Sequence, residues 1–118
     1  MNKMLENVCI KKRRGKGRCV ITARDFKKDE LIIVNHVIVY DFLPEGHDLL
    51  EWSMYWNNKK DAIALGYINL LNHSDNKNCY LINDYKKMIK SLYAKRDIKK
   101  GEELTIEYAC DLWFEVKK

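Results

Sequence analysis

Short β-forming runs punctuated by turn residues dominate this chain and limit it to a fold built from small sheets. Residues 8–11, 19–22, 31–34 and 37–41 combine β-branched and apolar side chains and are bounded by glycine, aspartate, asparagine or proline. Further strands are predicted at 79–83, 88–94 and 104–108. Ahead of the last, Lys99-Lys100-Gly101 reads as a tight turn in which the glycine takes a positive φ. One interruption is predicted to be helical: residues 48–56 carry Leu49, Leu50, Trp52, Met54, Tyr55 and Trp56 with no glycine or proline. Asn57-Asn58-Lys59-Lys60 marks a loop, and 62–71 leads into Asn72-His73-Ser74. No internal repeat, low-complexity tract or interdomain linker stands out. Many strands with one or two short helices give a β-dominated α+β domain.

A chain of 118 residues is the size of one domain and can bury roughly two thirds of its unfolded surface, so 1–118 is read as one unit. The balance of 47% hydrophobic and 33% charged residues argues against disorder. No apolar run approaches the roughly 20 residues of a membrane helix, and the first six residues lack the apolar stretch of a signal peptide. A soluble, intracellular protein without a membrane partner is expected. Cys9, Cys19, Cys79 and Cys110 are scattered with no metal-ligand spacing, so free thiols are expected and no metal. Net charge is +5, concentrated early in Lys11, Lys12, Arg13, Arg14, Lys16 and Arg18. That stretch reads first as a solvated loop, and second as a source of weak, salt-sensitive attraction to DNA, nucleosomes or RNA.

Three segments carry chemistry. The first is Gly15-Lys16-Gly17-Arg18-Cys19-Val20 with residues 22–32 behind it; the second is Asn72-His73-Ser74; the third is Gly101-Glu102-Glu103-Leu104-Thr105-Ile106-Glu107-Tyr108. Taken singly, each has an ordinary reading: a glycine turn, an asparagine turn before a core histidine, a strand tyrosine with its ring inside. In this order they resemble the SET-domain protein-lysine N-methyltransferases, in particular the minimal stand-alone members of large DNA viruses and bacteria. The resemblance implies a SET fold of small β-sheets with a knot-like C-terminal crossing, where the Asn-His-Ser segment and the last strand meet. It implies a single SET domain with neither a pre-SET nor a zinc-binding post-SET segment.

The activity so implied is transfer of a methyl group from S-adenosylmethionine to a protein lysine, leaving S-adenosylhomocysteine. By the same resemblance Lys16, Gly17, Arg18, Asn72 and His73 hold the cofactor and Tyr108 is catalytic. A lysine amine with a pKa of about 10.4 must lose its proton to attack, and an apolar channel beside a sulfonium depresses that value by desolvation and like-charge repulsion. The phenol of Tyr108 is then better suited to aligning amine and sulfonium than to acting as a base. Trp113 and Phe114 stand five and six residues beyond it, close enough to cover adenine and to wall the lysine channel. Tyr67 and Tyr55 are further channel candidates, each also readable as core. The chain departs from the common pattern with Cys19 in place of a second glycine and Thr22 in place of an alanine. Asp75-Asn76-Lys77-Asn78 lacks the usual cysteine and proline but keeps Asn78.

An extended lysine-bearing segment, a histone tail by analogy, is the expected substrate, which would place the protein in the nucleus or on chromatin. A non-histone protein substrate, met in the cytoplasm, is the alternative. An inert SET-like module binding peptide or cofactor is another, and a small basic nucleic-acid-binding protein is a third. A homodimer covering exposed sheet edges is also expected as an option.

Overall fold

In the computed structural model, the described residues are 7–13, 15, 17–49 and 52–107. Along the chain they form β1 (Val8–Arg13), β2 (Gly17–Thr22), β3 (Leu31–Asp41), β4 (Met54–Tyr55) and β5 (Lys60–Ala64). A 3-10 turn (Tyr67–Leu70) follows, then β6 (Asn72–His73), β7 (Cys79–Asp84), β8 (Ile89–Ala94) and β9 (Thr105–Ile106). β1 and β2 pair as an antiparallel hairpin, an antiparallel five-stranded sheet runs in the order β4-β5-β3-β8-β7, and β6 pairs with β9 in parallel. The architecture is therefore β-dominated and built from small sheets, as expected. None of the described helical segments is long and apolar enough to cross a membrane.

Two expected strands, 31–34 and 37–41, are one strand of 11 residues. Its first half pairs with β8 and its second with β5, after an irregularity between Leu31 and Ile33. Asn35 does not break it because both ends of its amide are used: Oδ1 accepts from the Ile68 N–H at 3.1 Å and Nδ2 donates to the Val34 carbonyl at 3.0 Å.

The helix expected over 48–56 is not formed by its described residues. The Trp52 N–H reaches Leu49 O at 3.1 Å, a single turn, and Met54 and Tyr55 then run extended opposite Ala62 and Asp61. Burial there alternates at a strand's period of two, with Met54 packed on the core, Tyr55 out and Trp56 buried. Asn58 and Lys59 take positive φ, 51° and 61°, and turn the chain into β5. Apolar content alone cannot separate the two periods in so short a run.

An internal repeat is present where none was expected. Arg24-Asp25-Phe26-Lys27-Lys28-Asp29-Glu30 matches Arg96-Asp97-Ile98-Lys99-Lys100-Gly101-Glu102 at five of seven positions. The two copies meet about a local near-twofold. Phe26 and Ile98 exchange both backbone hydrogen bonds at 2.8 Å. Asp25 Oδ1 accepts from the Lys100 N–H at 2.7 Å, and Asp97 Oδ1 accepts from the Lys28 N–H at 2.9 Å. Within each copy an arginine pairs with the glutamate, Arg24 with Glu30 at 3.0 Å and Arg96 with Glu102 at 3.2 Å. The Lys27 N–H first, then Arg24, holds the Glu30 carboxyl below its ordinary value; the Lys99 N–H and Arg96 act likewise on Glu102. The sixth position turns through positive φ in both copies, as Asp29 (66°) and as the expected glycine, Gly101 (91°).

The core gathers Val20 from the hairpin, Phe26 and Ile98 from the repeat, Ile32 and Leu92 from the large sheet, Ile68 from the 3-10 turn, and Leu104 and Ile106 from the C-terminal side. One charged group sits among them. Lys90 on β8 is 3% exposed. Its Nζ donates to Asn83 Oδ1 at 3.0 Å and lies 5.5 Å from the centroid of Trp56, onto which Tyr85 packs edge-on at 4.9 Å. Burial pushes this amine from 10.5 down to about 8. Between those values the unfolded chain binds more protons than the folded one, so stability rises with pH across that window. Below it both states carry the charge, and the folded state bears the whole cost of desolvation, roughly 3 kcal/mol. Lys90→Met is therefore expected to raise the urea midpoint at neutral pH and to remove the wild-type gain between about pH 8 and about pH 10. A variant less stable than wild type at neutral pH would show that the Asn83 and Trp56 contacts outweigh desolvation.

Candidate active site

The site is assembled where β6 meets β9. Asn72 stands opposite Thr105 and His73 opposite Ile106, and the Ser74 N–H extends the ladder to Ile106 O at 3.0 Å. A parallel pair of two-residue strands is too short to hold itself, and its support comes from Asn78. Asn78 is 4% exposed. Its Nδ2 donates to Glu103 O at 2.8 Å, and its Oδ1 accepts from the Thr105 N–H at 2.9 Å. The turn between β6 and β7 thus functions without its proline, since the asparagine at its end ties it to β9. Next door Lys77 Nζ lies 2.8 Å from Glu107 Oε1, a half-buried pair that fixes the residue preceding Tyr108.

The second wall is β2. Asn72 Nδ2 donates to Arg18 O at 3.1 Å and to Glu103 Oε2 at 2.7 Å, with Cys19 Sγ at 3.5 Å. Glu103 is in turn bound to β2 by its bridge with Ile21, and Leu104 N–H bonds Val20 O at 2.8 Å. Cys19 is fully buried, and its thiol lies 3.5 Å from the Asn72 amide, so the side chain that stands where the family has a glycine is accommodated inside the junction. Thr22, the other departure, has its hydroxyl 2.9 Å from Lys99 O, joining β2 to the second copy of the repeat. Gly17 opens β2 at φ 73°, and among the described residues no heavy atom beyond its chain neighbours lies within 4 Å of where a Cβ would stand. Positive φ explains the glycine, and the open space beside it admits close approach of a ligand.

Of the expected cofactor residues, Arg18, Asn72 and His73 are gathered here, and Gly17 stands beside Arg18 at the start of β2. The His73 ring does not lead into the site, since Nε2 lies 3.0 Å from Asp75 Oδ1. Strand alternation turns its main-chain polar groups away from β9. Arg18 extends its guanidinium over Trp52, 5.9 Å from the ring centroid, a contact of the 48–56 segment that its apolar pattern did not announce. Tyr67 packs on the core from the 3-10 turn. Tyr55 is half exposed on the edge strand β4, its ring 6.4 Å from Phe42, in a different sheet from β6 and β9. Lys16, Tyr108, Trp113 and Phe114 lie outside the described residues, as do Arg14 and Cys110. Among the described residues Cys9, Cys19 and Cys79 form no disulfide, and burial pushes Cys79 up to about 12. Asn78 was noticed in the sequence only as a retained letter; its role needs the partner strand to be seen.

Residues 17–109 match the sequence profile of the SET domain. Across 111 residues the chain is 31% identical to the histone-lysine N-methyltransferase, H3 lysine-37 specific, of Schizosaccharomyces pombe, covering 90% of this chain and 76% of that one. Its fold superposes on the crystal structure of a Plasmodium falciparum protein proposed to be a histone methyltransferase, with a TM-score of 0.73 and 24% identity over 92% and 97% of the two chains. CpSET8 from Cryptosporidium aligns with a TM-score of 0.65 and 28% identity, over 86% of this chain and 56% of that one. The chain belongs to the SET-domain family. It is a protein-lysine methyltransferase.

Replacing Asn78 by alanine leaves the Thr105 N–H and the Glu103 carbonyl without their buried partner. Asn78→Ala is expected to cost about 2–4 kcal/mol in chemical unfolding. An unchanged unfolding midpoint would mean that β9 is held by other means.

Proposed function

We propose that this chain transfers methyl groups from S-adenosylmethionine to a lysine in a histone. The observation that carries the reading is the fixed amide of Asn72. With Nδ2 committed to Arg18 O and Glu103 Oε2, its carbonyl oxygen is directed the other way, where it suits an ammonium donor. The donor set fits such a ligand: an oriented amide, main-chain groups of His73, the open approach at Gly17, and Arg18 beside it; Lys16 is assigned to the cofactor by its place in the motif alone. Trp113 would cover the adenine. When bound, S-adenosylmethionine supplies an electrophilic methyl on a sulfonium.

The chain's own part is to position and dehydrate. Tyr108 follows Glu107, which Lys77 anchors, and its phenol would align the substrate amine after the proton has gone to solvent. Phe114, Tyr67 and, more remotely, Tyr55 would wall the lysine channel. A histone substrate is favoured by the S. pombe relative, named for methylation of histone H3. It would be read as an extended segment along a strand edge, in the nucleus, with Lys11, Lys12, Arg13 and Arg14 adding weak contact to DNA.

Transfer of labelled methyl to core histones, free histone tails and a whole-cell extract tests this reading. Labelling of one histone is expected. Tyr108→Phe should keep cofactor affinity while losing turnover on the order of a hundredfold, the usual cost of removing one preorganised polar group that faces charge in the transition state. Labelling confined to the extract would replace the histone by another protein, and full activity in Tyr108→Phe would remove the tyrosine from the catalytic role.

A further inference from the structure

We infer that Glu103 is the positioning residue of the cofactor site, acting through Asn72; this deepens the reading above and rests on it. An asparagine amide presents two donors on one side and a carbonyl oxygen on the other, and nothing in the side chain itself chooses which way round it sits. Here the choice is made by acceptors converging on Nδ2, of which the Cys19 Sγ at 3.5 Å is the weakest. The strongest is the carboxylate, Glu103 Oε2 at 2.7 Å, a charge-assisted bond; the next is the main-chain carbonyl of Arg18 at 3.1 Å. With both N–H groups directed at these partners, a flipped amide would place its oxygen against a carboxylate and a carbonyl, repelled by each. The carbonyl oxygen of Asn72 is therefore held facing away from Glu103.

The carboxylate can do this because its own backbone is fixed on several sides. Residues on either side of Glu103 are bonded to β2, through Thr22 N–H to Glu102 O at 3.0 Å and Leu104 N–H to Val20 O at 2.8 Å. The Glu103 carbonyl accepts from the buried Asn78 amide at 2.8 Å. Its side chain spans from the C-terminal segment to β6 and joins, through one amide, the three pieces that must agree in position: β2, β6 and the run into β9. Glu102, its neighbour, is committed elsewhere, to Arg96 and to the Lys99 N–H at 2.6 Å. The two glutamates of the Gly-Glu-Glu run thus have separate tasks, one closing a turn and the other orienting the asparagine.

Three variants and two readouts decide the matter. In the cofactor-free protein, Glu103→Ala is expected to shift the Asn72 side-chain amide resonances and to speed their exchange, while Glu103→Gln, which keeps a neutral acceptor, shifts them less. With S-adenosylmethionine, Glu103→Ala should weaken binding about tenfold, the scale of one charge-assisted hydrogen bond, and raise KM with kcat little changed. The same replacement made in an Asn72→Ala background should have no further effect on affinity. Unchanged Asn72 resonances in Glu103→Ala, or a full loss of affinity persisting in the Asn72→Ala background, would overturn the inference. A wild-type protein that does not bind S-adenosylmethionine at all would instead overturn the cofactor reading, and the resonance measurement would still show whether Glu103 holds Asn72.

Discussion

Everything at the site depends on one buried amide. Parallel pairing is slightly weaker per residue than antiparallel pairing, and β6 and β9 are two residues each, so the ladder between them has little stability of its own. Asn78 supplies what the ladder lacks by donating to the strand's approach at Glu103 and accepting from the strand itself at Thr105. A buried amide satisfied at both ends is favourable, whereas one satisfied at neither would be among the most costly groups in the molecule. The geometry is accordingly all or none: if the turn at 75–78 and β9 separate, both Asn78 and its partners are stranded. Asn72, Glu103 and Glu107 inherit their positions from that contact.

The repeated Arg-Asp-x-Lys-Lys-x-Glu segment explains how a small chain holds its C-terminal run against β2. Each copy is a self-contained turn, its glutamate capping a backbone N–H and pairing with its own arginine. Each also lends an aspartate to the other's backbone. The two apolar side chains at the centre, Phe26 and Ile98, are almost fully buried, so the junction is sealed by packing and oriented by hydrogen bonds. From there the second copy leads directly into Glu103 and β9. A local sequence solution, used twice, thus places the run into β9.

Much of the fold was legible because its strands are bounded by strong turn formers; the limits expected for the strands at 79–83 and 88–94 fall within a residue of β7 and β8. Sequence reading failed where a distant partner decides. Asn35 looked like a strand end, but Ile68 satisfies it from another part of the chain. Residues 54–56 looked helical because their apolar content hides a period of two that only β5 reveals. The repeat was visible in principle, yet its copies are separated by β3 to β8 and differ at the hydrophobic position, so neither announces the other. Asn72 and His73 were marked by their motif, whereas Glu103 stood inside its motif with no role of its own, which needs the Asn72 amide against it.

The chain is net basic, yet the substrate of a lysine methyltransferase is itself a cation, and the resolution lies in distance. Surface lysines act through water, and beyond roughly 10 Å ordinary salt screens them. Carboxylates at the β6–β9 junction act at contact range in a partly desolvated setting, where one charge outweighs several remote ones. Glu107 is balanced by Lys77, which leaves its effect mainly positional. Glu103 bears on Asn72 directly, so its influence passes through an oriented dipole and does not require the carboxylate to touch a ligand. An oriented amide oxygen attracts a cation while remaining neutral, and so it can hold an ammonium without the desolvation cost that a second buried charge would bring. On the function proposed above, that division, a charged residue set behind and a neutral one in front, would let a basic protein keep a site suited to positive groups.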